Sequence, residues 1–229
     1  MNLVPIGYLR GPFSEKFGTP RQPGLVPEID SVVELLSPWN NDEVIRGLSG
    51  HSHVWLLFGF HRNASVSPTR ATVRPPRLGG NERMGVFATR SPYRPNPIGL
   101  SLVAIREVTA GRIVVGGADL VDGTPIYDIK PWLPWADAPL CTKSSGGFAA
   151  VPPASRLDVH FDPVIAQHDL APTLAQILAL DPRPAYQRDE PERVYGMEYA
   201  GHEVLWRVDD STGSLQVFEI RKSVDKGPE

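Results

Sequence analysis

The chain has 229 residues, a net charge of −3 and one cysteine, Cys141. A single cysteine excludes a disulfide framework and any multi-cysteine zinc or iron–sulfur site, and it fits a reducing compartment. Near-balanced charge excludes a wholly basic nucleic-acid binder and leaves room for a local cationic patch.

The length suggests one medium domain, or one with a small appendage. The start, MNLVPIGYLRGPF, has no long apolar run behind a basic segment and does not read as a signal peptide. The longest apolar run, Val54 to Phe60, is far too short to cross a membrane. A soluble cytoplasmic protein is expected. The 24 prolines lie largely in polar stretches, which predicts rigid irregular loops on a β scaffold.

LVPIGYLR reads as a first strand, with Pro5 at its start or on an edge. A long Pro/Gly loop, GPFSEKFGTPRQPGLVPEID, follows. SVVELL reads as a second strand. NNDEVIRGLSG reads as one or two helical turns, capped by Asn40 or Asn41 and ended by Gly47 or Gly50. HVWLLFGF is a buried strand, followed by a second long loop to Arg83. MGVFAT and IGLSLVAIREV read as two strands around RSPYRPNPIG, a rigid cationic insert too long for a simple connector. GRIVVGGADLVDGTPIYDI reads as a strand pair around a Val-Asp-Gly-Thr-Pro turn.

Strands at short spacing without alternating helices predict a mainly β fold, a small antiparallel β-barrel over residues 1–140. CTKSSGGFAAVPPAS reads as a linker, residues 141–154. Beyond it, RLDVHFD, VYGMEYA, EVLWRVDD and LQVFEIRK read as strands. HDLAPTLAQILAL reads as an amphipathic helix with Leu170, Leu174, Ile177 and Leu178 on one face. Residues 155–229 are therefore expected to form a small α+β domain.

Three groups of residues could carry chemistry. Seven arginines lie between Arg62 and Arg94, with no lysine and one acid, Glu82. Arginine suits bidentate phosphate contacts and stacking on bases, although such a run is also compatible with a solvated loop. His51, His53 and His61 suggest a metal, but His53 and His61 stand about 26 Å apart along an extended strand at about 3.3 Å per residue. A metal site is not expected, and His61 suits a binding role better. Asp119 and Asp122 flank the expected hairpin tip, where turn chemistry explains an Asp before Gly and a ligand-binding turn is the alternative. No G-x-G-x-x-G, P-loop or G-x-S-x-G motif is present, so a Rossmann or P-loop nucleotide site and a serine-hydrolase elbow are not expected. These residues point to a rigid Arg/Pro-lined site for phosphate-bearing ligands, without a reaction.

The strings EKFGTPRQPGL, RGLSGHSHVWLLFGFH, TVRPPRLGGNERMGVFATRSPYRPNPIGLSLV, DLVDGTPIYDIKPWLPWAD and DPRPAY resemble the TrmO family, also called YaeB or TsaA-like, over nearly the whole chain. The resemblance implies a homodimeric tRNA methyltransferase built on a small β-barrel. It implies S-adenosyl-L-methionine as cofactor, and N6 of threonylcarbamoyl-adenosine next to the anticodon of threonine tRNA as the methylated atom. By position it implies a cofactor site made of Pro20, Arg21, Gln22, His61, Arg62, Arg90, Leu100 and the turn Asp119, Leu120, Val121, Asp122 and Gly123. For catalysis, Asn96 is expected to orient the nitrogen, and Asp122 is the candidate base. For tRNA, Arg74, Arg77 and Arg94 are expected to meet anions. Arg183 and Tyr186 of DPRPAY are expected to meet an anion and a base, or else to form a packed helix-terminating loop. A non-catalytic tRNA- or nucleotide-binding module and a metal-dependent barrel enzyme are the alternatives.

Overall fold

The computed structural model describes residues 2–63, 71–74, 83–138, 157–184, 187, 190 and 192–223. Among the described residues, eight strands build the first part: β1 (Gly7–Arg10), β2 (Asp30–Leu35), β3 (His53–Gly59), β4 (Thr72–Val73), β5 (Met84–Gly85), β6 (Ile98–Thr109), β7 (Arg112–Gly116) and β8 (Thr124–Pro131). Six of them close an antiparallel barrel in the order β1-β2-β7-β6-β3-β8. Closure leaves no exposed sheet edge. Each strand turns its alternate residues inward, as period-2 patterning requires. Leu9, Val33, Val54, Leu56, Val103, Ile113, Val115 and Ile126 fill the interior.

Two strand expectations are corrected. MGVFAT is not a continuous strand. Only Met84–Gly85 pairs, with Thr72–Val73, and the chain then turns through a 3₁₀ segment, Val86–Ala88. The turn is closed by the Thr89 backbone N–H and side-chain hydroxyl, which both donate to the Val86 carbonyl. Nor do β7 and β8 form a hairpin. β7 pairs with β2 and β6, and β8 pairs with β1 and β3. Both edges of β7 are already occupied, so the chain must cross the barrel end before β8 can begin. The crossing segment is pinned along its length. Gly117 N–H donates to Ile29, Asp122 N–H to Phe13 and Gly123 N–H to Leu9. Gly123 has φ +75°, a left-handed conformation that glycine adopts without a Cβ penalty.

After β2 the chain makes turns ending in a 3₁₀ segment, Leu48–Gly50, in keeping with the one or two helical turns expected there. Asn41 Oδ1 accepts from the Glu43 and Val44 amides, capping the first turn. A short helix α1 (Pro134–Asp137) follows β8.

The second part holds β9 (Asp158–Phe161), helix α2 (Ala171–Ala179), β10 (Tyr195–Tyr199), β11 (His202–Asp209) and β12 (Ser214–Lys222). The sheet order is β10-β11-β12-β9, with β9 parallel to β12. Leu174, Ile177 and Leu178 of α2 are buried against Tyr195, Met197, Val204 and Trp206. This core also takes Phe13, Val26 and Ile29 from the loop between β1 and β2. Each such side chain contributes about 1.5–3 kcal/mol by leaving water. One long loop of the barrel is thereby embedded in the hydrophobic interior of the second part.

Candidate functional site

A cleft of about 1750 Å³ opens where the barrel rim meets that loop and the segment after α2. A pocket for one drug-sized molecule spans roughly 300–1,000 Å³, so this space has room for two reactants side by side. Its floor is the end of the barrel, with Phe58 from β3 and Gly99, Leu100 and Ser101 from β6. Leu120 and Val121 come from the crossing segment. A Cβ on Gly99 would lie 2.2 Å from the Phe58 ring, so only glycine lets that ring line the floor.

The walls are cationic. Lys16, Arg21, Arg62, Arg74, Arg83, Arg90 and Arg94 line the cleft, against Asp119 and Asp181. These charges are ordered by short polar contacts. Arg90 donates to Gln22 Oε1 at 2.6 Å, and Arg21 donates to the Pro182 and Arg183 carbonyls at 3.2 and 3.3 Å. Arg62 donates to the Ser14 carbonyl, and Lys16 to Asn63 Oδ1 at 2.7 Å. Arg94 Nη1 bonds the Val86 and Thr89 carbonyls, bracing the proline-rich loop from within. Burial, with help from Arg62, lowers the pKa of His61, which favours a neutral imidazole.

Asp119 is the carboxylate at the floor. The Ser101 hydroxyl donates to its Oδ1 at 2.6 Å. Burial pushes it up to about 6, against the opposing pull of Ser101, its own backbone amide and Arg90.

Among the expected site residues, Pro20, Arg21, Gln22, His61, Arg62, Arg74, Arg90, Arg94, Leu100, Asp119, Leu120 and Val121 meet in this one cleft. Others fall elsewhere. Asp122 is outside the lining, where its Oδ1 accepts from the Gly11 amide at 3.1 Å and its Oδ2 lies 3.8 Å from Arg10. That is turn chemistry. Gly123 also lies outside the lining and serves the turn geometry. Asn96 is exposed on the proline-rich loop, beyond the lining. Arg183 fits the packed helix-terminating loop, the alternative given for DPRPAY. Its side chain has no exposure and is held between Asp181 and Asp210, leaving no face for a tRNA anion. Arg77 and Tyr186 lie outside the described residues.

Ser101 was not among the expected site residues. Its signal was available, because Gly99, Ser101 and Val103 share the buried face of β6 and Ser101 is the polar one. Among the described residues, no group of three or more histidine, cysteine, aspartate or glutamate side chains could hold a metal ion.

The family model described as the tRNA-methyltransferase O N-terminal domain matches residues 8–138, and the TrmO C-terminal domain matches residues 155–223. The chain belongs to the tRNA-methyltransferase O family. It is 43% identical to the tRNA (adenine(37)-N6)-methyltransferase of Escherichia coli (strain K12) over 229 aligned residues, covering 94% of this chain and 95% of that one. It is 46% identical to RcsF of Pseudomonas aeruginosa, which carries a provisional name as an S-adenosylmethionine-dependent methyltransferase, over 90% of this chain and 91% of that one. The crystal structure of TrmO from Pseudomonas aeruginosa superposes with TM-score 0.78 at 36% identity, covering 96% of this chain and 97% of that one. The human tRNA (adenine(37)-N6)-methyltransferase is 46% identical over 137 residues, or 59% of this chain and 31% of that one. Membership of TrmO agrees with the closed barrel and the α+β second part.

Proposed function

We propose that this chain is an S-adenosylmethionine-dependent tRNA methyltransferase acting on N6 of an adenosine. The observation that carries the reading is the convergence of Gln22, Arg90, Leu100, Asp119 and Leu120 on one cleft large enough for two reactants. The cleft fits the cofactor chemically. An apolar floor of Phe58 and Leu120 suits the adenosyl and thioether portions, and Arg90 with Gln22 offers anchored polar groups for a carboxylate and amine. S-adenosylmethionine would supply a methyl group made electrophilic by a sulfonium.

The remaining work belongs to the protein. Methyl transfer is an in-line displacement, so holding the nitrogen on line supplies much of the rate. The braced loop from Arg90 to Arg94 and the pinned crossing segment favour this, because neither has to be ordered anew at each turnover. Exposed Arg74 and Arg83 at the cleft edge suit tRNA phosphates.

The finer reading is that the base is threonylcarbamoyl-adenosine, next to the anticodon of threonine tRNA. Its threonyl carboxylate would be met by the arginine-lined wall. We also infer a homodimer. Exposed Phe87, Tyr93, Ile98 and Leu100, with 79%, 38%, 37% and 51% exposure, lie beside the cleft and favour coverage by a second copy. The cytoplasm, where tRNA and reduced thiols coexist, is the compartment that fits. Among the described residues no helix is long and apolar enough to cross a membrane.

The test incubates the purified chain with methyl-labelled S-adenosylmethionine and threonine tRNA, with and without the threonylcarbamoyl group. Label in the carbamoylated tRNA alone is the expected result. Label in both would retain the activity and remove the finer substrate. Tight, salt-sensitive tRNA binding without label would support a non-catalytic binding module. Light scattering across a concentration series tests the dimer.

A further inference from the structure

Methylation at N6 has a proton to dispose of. In the proposed substrate the nitrogen is urea-like, with its lone pair delocalised into the carbonyl and the ring. Such a nitrogen attacks well only as its N–H proton is drawn off. Among the described residues, Asp119 and His61 line the cleft and could take such a proton, and Asp119 is the one aligned by the Ser101 hydroxyl.

We propose that Asp119 is the proton acceptor of the reaction and that Ser101 positions its carboxylate. The proposal rests on the methyltransferase reading. Asp119 sits on the crossing segment, whose backbone is fixed by the Gly117, Asp122 and Gly123 amides. Ser101 is buried on β6, the longest barrel strand, and its hydroxyl donates to Asp119 Oδ1 at 2.6 Å. That bond occupies one carboxylate oxygen, Oδ1. Asp119 is only part-buried and lines the cleft, so it can be reached.

The charges around it are those of the other cleft elements. Arg90 comes from the loop before β6, Arg21 and Lys16 from the loop after β1, and His61 and Arg62 from the end of β3. Arg90 acts on the carboxylate directly and favours its ionised form. Burial outweighs it, so Asp119 titrates near 6 and not in the usual carboxylate range. At neutral pH the group is therefore ionised and more basic than an exposed aspartate. A general base works best when its pKa lies near the operating pH.

The step balances. The nitrogen lone pair forms one N–C bond. One C–S bond breaks, with its electron pair left on sulfur. The N–H proton passes to the Asp119 carboxylate and then to water.

The experiment compares the full chain with Asp119→Asn and, separately, Ser101→Ala. It measures kcat on tRNA between pH 5 and 9, and calorimetric affinity for S-adenosylhomocysteine. For Asp119→Asn, kcat falls about 10²–10⁴-fold while that affinity changes less than threefold. The wild type shows an acid limb near pH 6, which Asp119→Asn lacks. Ser101→Ala moves the limb to higher pH, because a bond that favours the charged carboxylate is gone. An Asp119→Asn enzyme within fivefold of wild-type kcat overturns the proposal. So does a loss of S-adenosylhomocysteine affinity as large as the loss of rate, which would make Asp119 a binding group. An unmoved limb in Ser101→Ala removes the positioning role without depending on the other variant. A wild type that never methylates tRNA overturns the function itself. A wild type that turns over with Asp119 indifferent overturns only this inference.

Discussion

Arg183 is clasped by two aspartates, with its Nε 2.9 Å from Asp181 and its Nη2 2.8 Å from Asp210. The guanidinium also lies over the Tyr195 ring at 5.5 Å. Burial alone would weaken its hold on the proton, but Asp210 and Asp181 more than restore it. Arg183 therefore stitches the segment after α2 to the end of β11. The Pro182 and Arg183 carbonyls, held there, receive Arg21 at the cleft wall.

Arg183→Ala leaves two carboxylates beside an emptied site. The expected cost is about 3–5 kcal/mol of stability, measured by urea denaturation. Loss of tRNA affinity with unchanged stability would restore an anion-binding role for Arg183 and contradict the structural one.

Asp119 makes stability depend on pH in the less usual direction. Its folded pKa, about 6, lies above its unfolded value, so the native state binds the proton more tightly. The contribution is full below about pH 4 and lost as pH rises through 6. Relative to wild type, Asp119→Asn should gain stability between pH 4 and pH 8 by up to about 3 kcal/mol. Thermal denaturation of both proteins at the two pH values measures the difference. A gain independent of pH would show that Asp119 is not held in a charge-disfavouring environment.

Arg90 is aligned by Gln22 across 2.6 Å. Arg90→Ala should weaken S-adenosylmethionine binding about tenfold, which corresponds to about 1.4 kcal/mol. Unchanged calorimetric affinity would remove Arg90 from the cofactor site.

Arg74 is exposed at the cleft edge. Arg74→Ala should weaken tRNA binding and lower the slope of log affinity against log salt by about one. Filter binding at several salt concentrations reads both. An unaltered slope would mean that Arg74 meets no phosphate.

Phe13 belongs to the barrel segment yet packs on Tyr199 of β10, with ring centroids 5.2 Å apart. We infer that the two family domains unfold as one unit despite the linker between them. Phe13→Ala should cost about 3–5 kcal/mol and shift a single calorimetric transition. Two resolved transitions, with only one shifted, would show that the two parts are independent.

The sequence made most strands visible because inward and outward residues alternate, as Val33 and Leu35 do on β2. It made the cleft visible through its arginines. The pairing of β7 and β8 was hidden, because Val-Asp-Gly-Thr-Pro is good turn chemistry whether or not its flanking strands meet. Only the occupancy of β7 by β2 and β6 excludes the hairpin. Arg183 looked like a free cation because Asp210, its partner, stands 27 residues downstream. The surroundings of Asp119 were hidden for the same reason. Its singular feature is Ser101, 18 residues upstream on another element.

β8 is the last barrel strand in the chain, and it inserts between β1 and β3. Such distant pairings are slow to form, because the ends of long loops must first be brought together. During synthesis the first seven strands emerge without their closing member. The segment carrying Asp119 immediately precedes that member, so the carboxylate arrives at the cleft with the stroke that seals the barrel.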